Sequence, residues 1–162
     1  MKTKILFKEQ QRFRQWWLWT LLGIVVLIVG TVIYILLRHA ADNWLPIMLM
    51  SLSLLLPASF LFIRLDTEIR SDGIYVRFFP LQIRYKKYRW EDIDYLSIRQ
   101  YDPVKEYGGW GIRGLGSNRA LNISGDQGLQ LVLKEHKKKL LIGTHQAEVL
   151  ARLLQSIPVP QQ

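Results

Sequence analysis

Two stretches decide how this chain is organised: Trp16–Leu37, WWLWTLLGIVVLIVGTVIYILL, and Trp44–Ile63, WLPIMLMSLSLLLPASFLFI. The first is 22 residues without a charge, the second is 20, and only Arg38 to Asn43 separates them. A helix rises about 1.5 Å per residue, so roughly 20 apolar residues cross a hydrocarbon core about 30 Å thick. Both runs reach that length. They are expected to form an antiparallel transmembrane hairpin, 16–37 and 44–63. Neither run contains Asp, Glu, Lys, Arg or His, which argues for an anchor and against a proton or ion pathway. A cleaved signal would have a shorter apolar region, about 7–15 residues, ending in small residues. Leu37-Arg38-His39 offers no such site. Thr20, Gly23, Gly30 and Thr31 fall broadly on one helical face, and Ser51 and Ala58 share a face of the second helix. Such faces let helices approach closely in lipid. Pro46 suits a first helical turn, and Pro57 is expected to kink the helix.

The flanks set the expected orientation. Residues 1–15 carry Lys2, Lys4, Lys8, Arg12 and Arg14 against Glu9 alone, and read as a basic cytoplasmic tail. Arg38 lies between the spans, and Arg64, Arg70 and Arg77 follow the second. By the excess of basic residues, both termini are expected in the cytoplasm and the short loop outside. Trp16, Trp17 and Trp19 are then expected at one membrane interface and Trp44 at the other.

Composition narrows the function classes. The chain has 162 residues, a net charge of +9 and no cysteine. Disulfides, thiolate nucleophiles and thiolate metal sites are thereby excluded. A basic face beside two spans serves orientation and attraction to anionic lipid. No basic helical stripe or nucleic-acid motif is present, so no nucleic-acid partner is expected. His39, His136 and His145 lack metal-ligand spacing. No cofactor is expected, and no paired carboxylates or activated nucleophile point to an enzyme.

From Arg64 the chain reads as a water-soluble domain, 64–157, followed by a short tail, 158–162. Leu65, Thr67 and Ile69 alternate, as do Ile74, Val76 and Phe78, around the turn Ser71-Asp72-Gly73. Further strands are expected at about Gln82–Tyr88, Ile93–Tyr101, Ala120–Ser124, Gly128–Lys134 and Lys138–Gly143, with a long Gly-rich loop over Pro103–Arg119. Thr144 can cap a helix over about His145–Ser156, with Leu150, Leu153, Leu154 and Ile157 on one face. Pro158 and Pro160 are expected to end it. Seven short antiparallel strands capped by a C-terminal α-helix is the order of a pleckstrin-homology-like (PH-like) domain, giving an α+β, membrane-anchored fold.

Four segments carry a resemblance: Thr67-Glu68-Ile69 with Asp72-Gly73-Ile74, Tyr107-Gly108-Gly109-Trp110-Gly111-Ile112-Arg113, Leu141-Ile142-Gly143-Thr144, and the two spans ahead of them. Together they resemble bacterial PH-like membrane proteins of unknown function. The resemblance covers nearly the whole chain. It implies a PH-like fold and a bacterial cytoplasmic-membrane location, with no established ligand or catalytic residue.

Two candidate sites follow. The first is the loop Tyr107, Gly108, Gly109, Trp110, Gly111, Ile112 and Arg113. It satisfies G-x-G-x-x-G in form, but lacks the strand before and helix after that dinucleotide binding needs. Its chemistry suits contact with a partner protein or a headgroup, since Trp110 is amphipathic and Arg113 can pair with carboxylate or phosphate. The plainer reading is that Trp110 packs back and the glycines permit a tight path. The second is the basic cluster Arg84, Lys86, Lys87 and Arg89, interleaved with aromatic residues, which could face anionic lipid or be an ordinary solvated strand. The expected function is a non-catalytic membrane protein presenting its soluble domain to a protein partner or to a second copy of itself. Anionic-lipid sensing, or service as an accessory subunit of a membrane enzyme or transporter, is the alternative.

Overall fold

Alternating apolar residues build two β-sheets in the computed structural model, which describes residues 3–39, 44–114 and 116–157. The chain divides into two units. One comprises residues up to Arg12 and from Arg64 onward, and the other is Phe13–Ile63.

The Phe13–Ile63 unit holds helices α1 (Trp16–His39) and α2 (Leu45–Phe62). Both are long and apolar enough to cross a membrane. A core helix of a soluble protein would have its apolar face covered. Here only 11% and 6% of the residues in the most apolar windows are buried. Leu22 and Ile33 are buried, and Phe13 meets Phe60 edge-on at 5.4 Å. Trp19 Nε1 donates to the Phe13 carbonyl at 3.1 Å, tying down the start of α1. Pro46 opens α2, as expected from its missing N–H, and the helix continues through Pro57. The expected small-residue contact is not made. A Cβ added at Gly23 or Gly30 would meet nothing within 4 Å. The Thr20 and Thr31 hydroxyls donate to carbonyls of their own helix.

In the other unit, the first sheet has the order β1 (Ile5–Arg12), β2 (Arg64–Arg70), β3 (Gly73–Phe79), β4 (Lys86–Arg89), antiparallel throughout. The second has the order β5 (Ile93–Gln100), β8 (Gln127–Leu133), β9 (Lys139–Gly143), β7 (Asn118–Asn122), β6 (Gly111–Arg113). Helix α4 (Ala147–Gln155) packs against β1, β5 and β8. Its Leu150 and Leu154 are buried, as is Ile157 beyond its end. Each such leucine contributes about 1.5–3 kcal/mol by leaving water. Leu65, Ile69, Ile74, Ile93, Leu96, Leu129, Leu131 and Leu141 form the sealed interior.

Several expectations need correction. The segment read as a basic tail, residues 1–15, contains β1, which pairs along its length with β2, from Phe7 opposite Ile69 to Arg12 opposite Arg64. Among the described residues there are nine strands in place of seven, and β7 runs parallel to β9. The strand expected at Gln82–Tyr88 is β4 and begins only at Lys86, because Pro80 to Tyr85 form a turn and bend. The long loop 103–119 contains a one-turn helix, α3 (Pro103–Tyr107), and the edge strand β6. Helix α4 starts at Ala147. Thr144 caps the turn ahead of it, accepting from the Gln146 N–H at 3.0 Å. The tail 158–162, with Pro158 and Pro160, lies outside the described residues.

The strand β1 is held from its inward side by polar contacts. Glu9 is 5% exposed and accepts from Thr144 Oγ1 at 2.6 Å, His145 N–H at 2.8 Å and Gln11 Nε2 at 3.0 Å. Gln11 Nε2 also donates to the Gly143 carbonyl at 2.7 Å. Buried polar groups are stable only when partnered, and these bonds latch the first sheet to the junction of β9 and α4.

Candidate functional site

The Tyr107–Arg113 segment divides into residues that build the fold and residues that face outward. Asp102 caps α3, its carboxylate accepting from the Val104 and Lys105 N–H groups at 3.0 Å each. Those backbone bonds, Lys105's first, hold its pKa below the usual carboxylate value. Tyr107 ends the helix and is buried against Tyr101, Ala120 and Leu141. Burial pushes its phenol pKa up. The hydroxyl accepts from Arg99 at 3.2 Å and donates to Asn118 Oδ1 at 3.3 Å. Gly108 closes the helix in the left-handed region at φ 72°, a conformation that favours glycine. Gly109 donates its N–H to the Pro103 carbonyl, and Gly111 donates to Asn122 Oδ1. Arg113 folds back, its Nε donating to the Trp110 carbonyl at 2.8 Å. Tyr107 and the glycines are therefore architectural. Trp110 is half-buried, and Ile112 and Arg113 are exposed.

Trp110 borders an open cleft of about 610 Å³, lined also by Tyr101, Val104, Asp102, Glu106 and Asp126. Three of these carry carboxylates. Glu106 is paired with Arg99 at 2.8 Å, and that hydrogen bond holds its pKa below the ordinary value. Asp102 has Lys105 at 3.6 Å, while Asp126 accepts from Gln100 Nε2 at 2.6 Å. The sequence reading names Trp110 but not its acidic neighbours. Asp126 is distant in sequence and arrives because Tyr101 N–H bonds the Asp126 carbonyl.

The basic cluster is divided by its partners. Lys87 pairs with Asp72, and Arg89 with Glu91 at 3.2 Å. The Lys87 contact is the leading reason that the Asp72 pKa is lowered. Lys86 lies 5.3 Å from the Tyr88 ring centre, and Arg84 is exposed. One face of the first sheet carries a denser network. Asp66, 2% exposed, meets Arg77 and Arg64, and Glu68, 3% exposed, meets Arg70 at 2.6 Å and Lys8 at 3.3 Å. Burial opposes the charge on Glu68, but the hydrogen bonds from Arg70 and Lys8 outweigh it and hold its pKa below 4.5. A buried carboxylate persists only with such partners. This network is structural, and it engages four of the chain's basic side chains.

Ser124 Oγ lies 2.7 Å from His145 Nε2. Glu9 bonds the backbone N–H of His145 and not its ring, so it does not orient the imidazole as a nucleophile's base requires. Among the described residues no group of three His, Asp or Glu side chains could hold a metal ion. No protein-family model matches this chain, and no curated protein matches it.

Proposed function

We propose that the chain is a non-catalytic binding module anchored in a membrane, engaging a protein partner at the Trp110 cleft. The observation that carries this reading is an amphipathic indole at the rim of an open recess bordered by Asp102, Glu106 and Asp126. An acidic recess beside Trp110 and Val104 suits a basic segment carrying an apolar side chain. Two packed sheets with a terminal helix, together with the resemblance noted above, support a PH-like domain as the presenting scaffold.

Pairing of β1 with β2 adds a topological argument. The apolar hairpin is the connection between those two neighbouring strands. This connection supports a hairpin whose two ends emerge on the same side of the bilayer. The basic flanks favour the cytoplasm as that side, and the bacterial cytoplasmic membrane is the proposed location.

The test places a photoreactive phenylalanine at Trp110 in native membranes. A specific protein adduct that weakens on Asp126→Lys supports the reading. Adducts with lipid only, or a protein adduct indifferent to that charge reversal, refute it. A second copy as the captured protein would identify self-assembly. Anionic lipid is the second reading, favoured by Arg84 and Lys86, for which no carboxylate among the described residues lies within ion-pair distance.

A further inference from the structure

Three of the basic side chains left without a carboxylate partner meet in one recess. It measures about 190 Å³ and is lined by Lys86, Tyr88, Arg119, Lys138, Lys139 and Leu140, among others. Four cationic side chains border it, and no carboxylate does. Lys138 is engaged by Glu135 at 2.9 Å. For Lys86, Arg119 and Lys139, no Asp or Glu among the described residues comes within ion-pair distance.

The sheet topology makes this convergence. Parallel pairing of β7 with β9 brings the starts of the two strands together, with Asn118 opposite Lys139 and Arg119 opposite Leu140, and at this end both Arg119 and Lys139 line the recess. Strand β4 contributes Lys86 and Tyr88. Tyr88 is 8% exposed, and burial pushes its pKa up to about 12 against the opposing influence of Arg119. Its hydroxyl therefore stays protonated at neutral pH and can donate.

Like charges gathered in this way repel one another and gain nothing for folding. What they offer is a set of donors without an acceptor: a guanidinium fork, ammonium groups and a phenol. The ligand that completes such a set is a multiply charged anion rich in acceptor oxygens. The volume limits its size, being below the roughly 300–1,000 Å³ of sites for drug-sized ligands.

We infer that the recess between β4, β7 and the start of β9 binds a phosphate group, carried by a small soluble phosphate or by an anionic lipid headgroup. Arg119 supplies the forked contact, and Lys86 and Lys139 balance the remaining charge.

Lysine acetylation footprinting of the full chain in zwitterionic nanodiscs tests this. One arm titrates inorganic phosphate at constant ionic strength. The other replaces part of the zwitterionic lipid with phosphatidic acid. Saturable protection of Lys86 and Lys139 by at least threefold in either arm is expected, with exposed Lys105 unchanged. Arg119→Gln should weaken the apparent affinity at least tenfold while leaving the melting temperature unchanged. Should that variant fail to fold, Lys139→Gln, also at an exposed site, takes its place. Protection by free phosphate assigns a soluble ligand, and protection only by phosphatidic acid assigns a headgroup. No protection in either arm, or protection that survives the substitution, overturns the inference.

Discussion

Replacing Glu9 by Ala tests whether the first residues of the chain belong to the folded domain. The carboxylate serves Thr144 Oγ1, the His145 N–H and Gln11 Nε2, and both Glu9 and Thr144 are sealed from water. A buried donor left unpaired costs about 1–3 kcal/mol. Gln11 Nε2 keeps the Gly143 carbonyl, so the loss falls mainly on Thr144 and His145. Relief from desolvating a carboxylate offsets part of it, and a net destabilisation of about 3 kcal/mol is expected. Because the chain has no cysteine, a single Ala120→Cys reporter at a fully buried position reads opening through its thiol-labelling rate. By the factor of ten per 1.36 kcal/mol, about 3 kcal/mol corresponds to a roughly 150-fold rise in the labelled population. Glu9→Gln keeps the shape and one acceptor oxygen, and should cost about 1 kcal/mol. A rise below about threefold for Glu9→Ala, near 0.6 kcal/mol, would mean that β1 is not docked and that the latch contributes nothing.

Gly73→Ala is expected to destabilise the domain by about 3 kcal/mol in the same labelling assay, because its Cβ would lie 2.3 Å from the Tyr88 carbonyl oxygen at φ +147°. Wild-type labelling there would contradict the β3–β4 register. Glu68 has its folded-state pKa lowered below 4.5. Its stabilisation is thus present above that value and lost as pH falls through the folded-state pKa. A pH series of melting temperatures should be flatter on the acid side for Glu68→Gln, and an unchanged acid slope would discount the Arg70–Glu68–Lys8 cluster. Gly23→Ala should not lower the helical circular dichroism or the detergent-solubilised melting temperature, since the added Cβ meets nothing within 4 Å and alanine is the better helix former. Loss of helix packing would place that face in contact with α2.

The sequence made some of this architecture legible and hid the rest for identifiable reasons. The apolar helices are visible because length and absence of charge are local properties. Strands β2 and β3 are visible because Leu65, Thr67, Ile69, Ile74, Val76 and Phe78 point one way, in step with the pleat. Strand β1 is hidden because two of its inward positions are Glu9 and Gln11. Alternation of polar with polar gives no periodic signal, and the partners that justify burying them lie more than 130 residues away. The YGGWGIR string is visible as unusual, but much of that character is architectural, with Tyr107 packed in the core and Gly108 closing α3. The Arg119–Lys139 convergence is invisible along the chain because it arises from a parallel strand pair.

The connection of β1 to β2 through two apolar helices has a consequence for biosynthesis. The ribosome delivers the first strand of the sheet, then the whole hairpin, and only then the strand that pairs with it. Until Arg64 emerges, Phe7, Glu9 and Gln11 have no hydrogen-bonding neighbour and no α4 to cover them. On the proposed membrane reading, insertion of the hairpin precedes closure of the sheet. A chain whose hairpin threads only once would strand β1 and β2 on opposite sides of the bilayer, with the latch at Glu9 unmade. On that reading, pairing of β1 with β2 reports that both ends of the hairpin lie on one side.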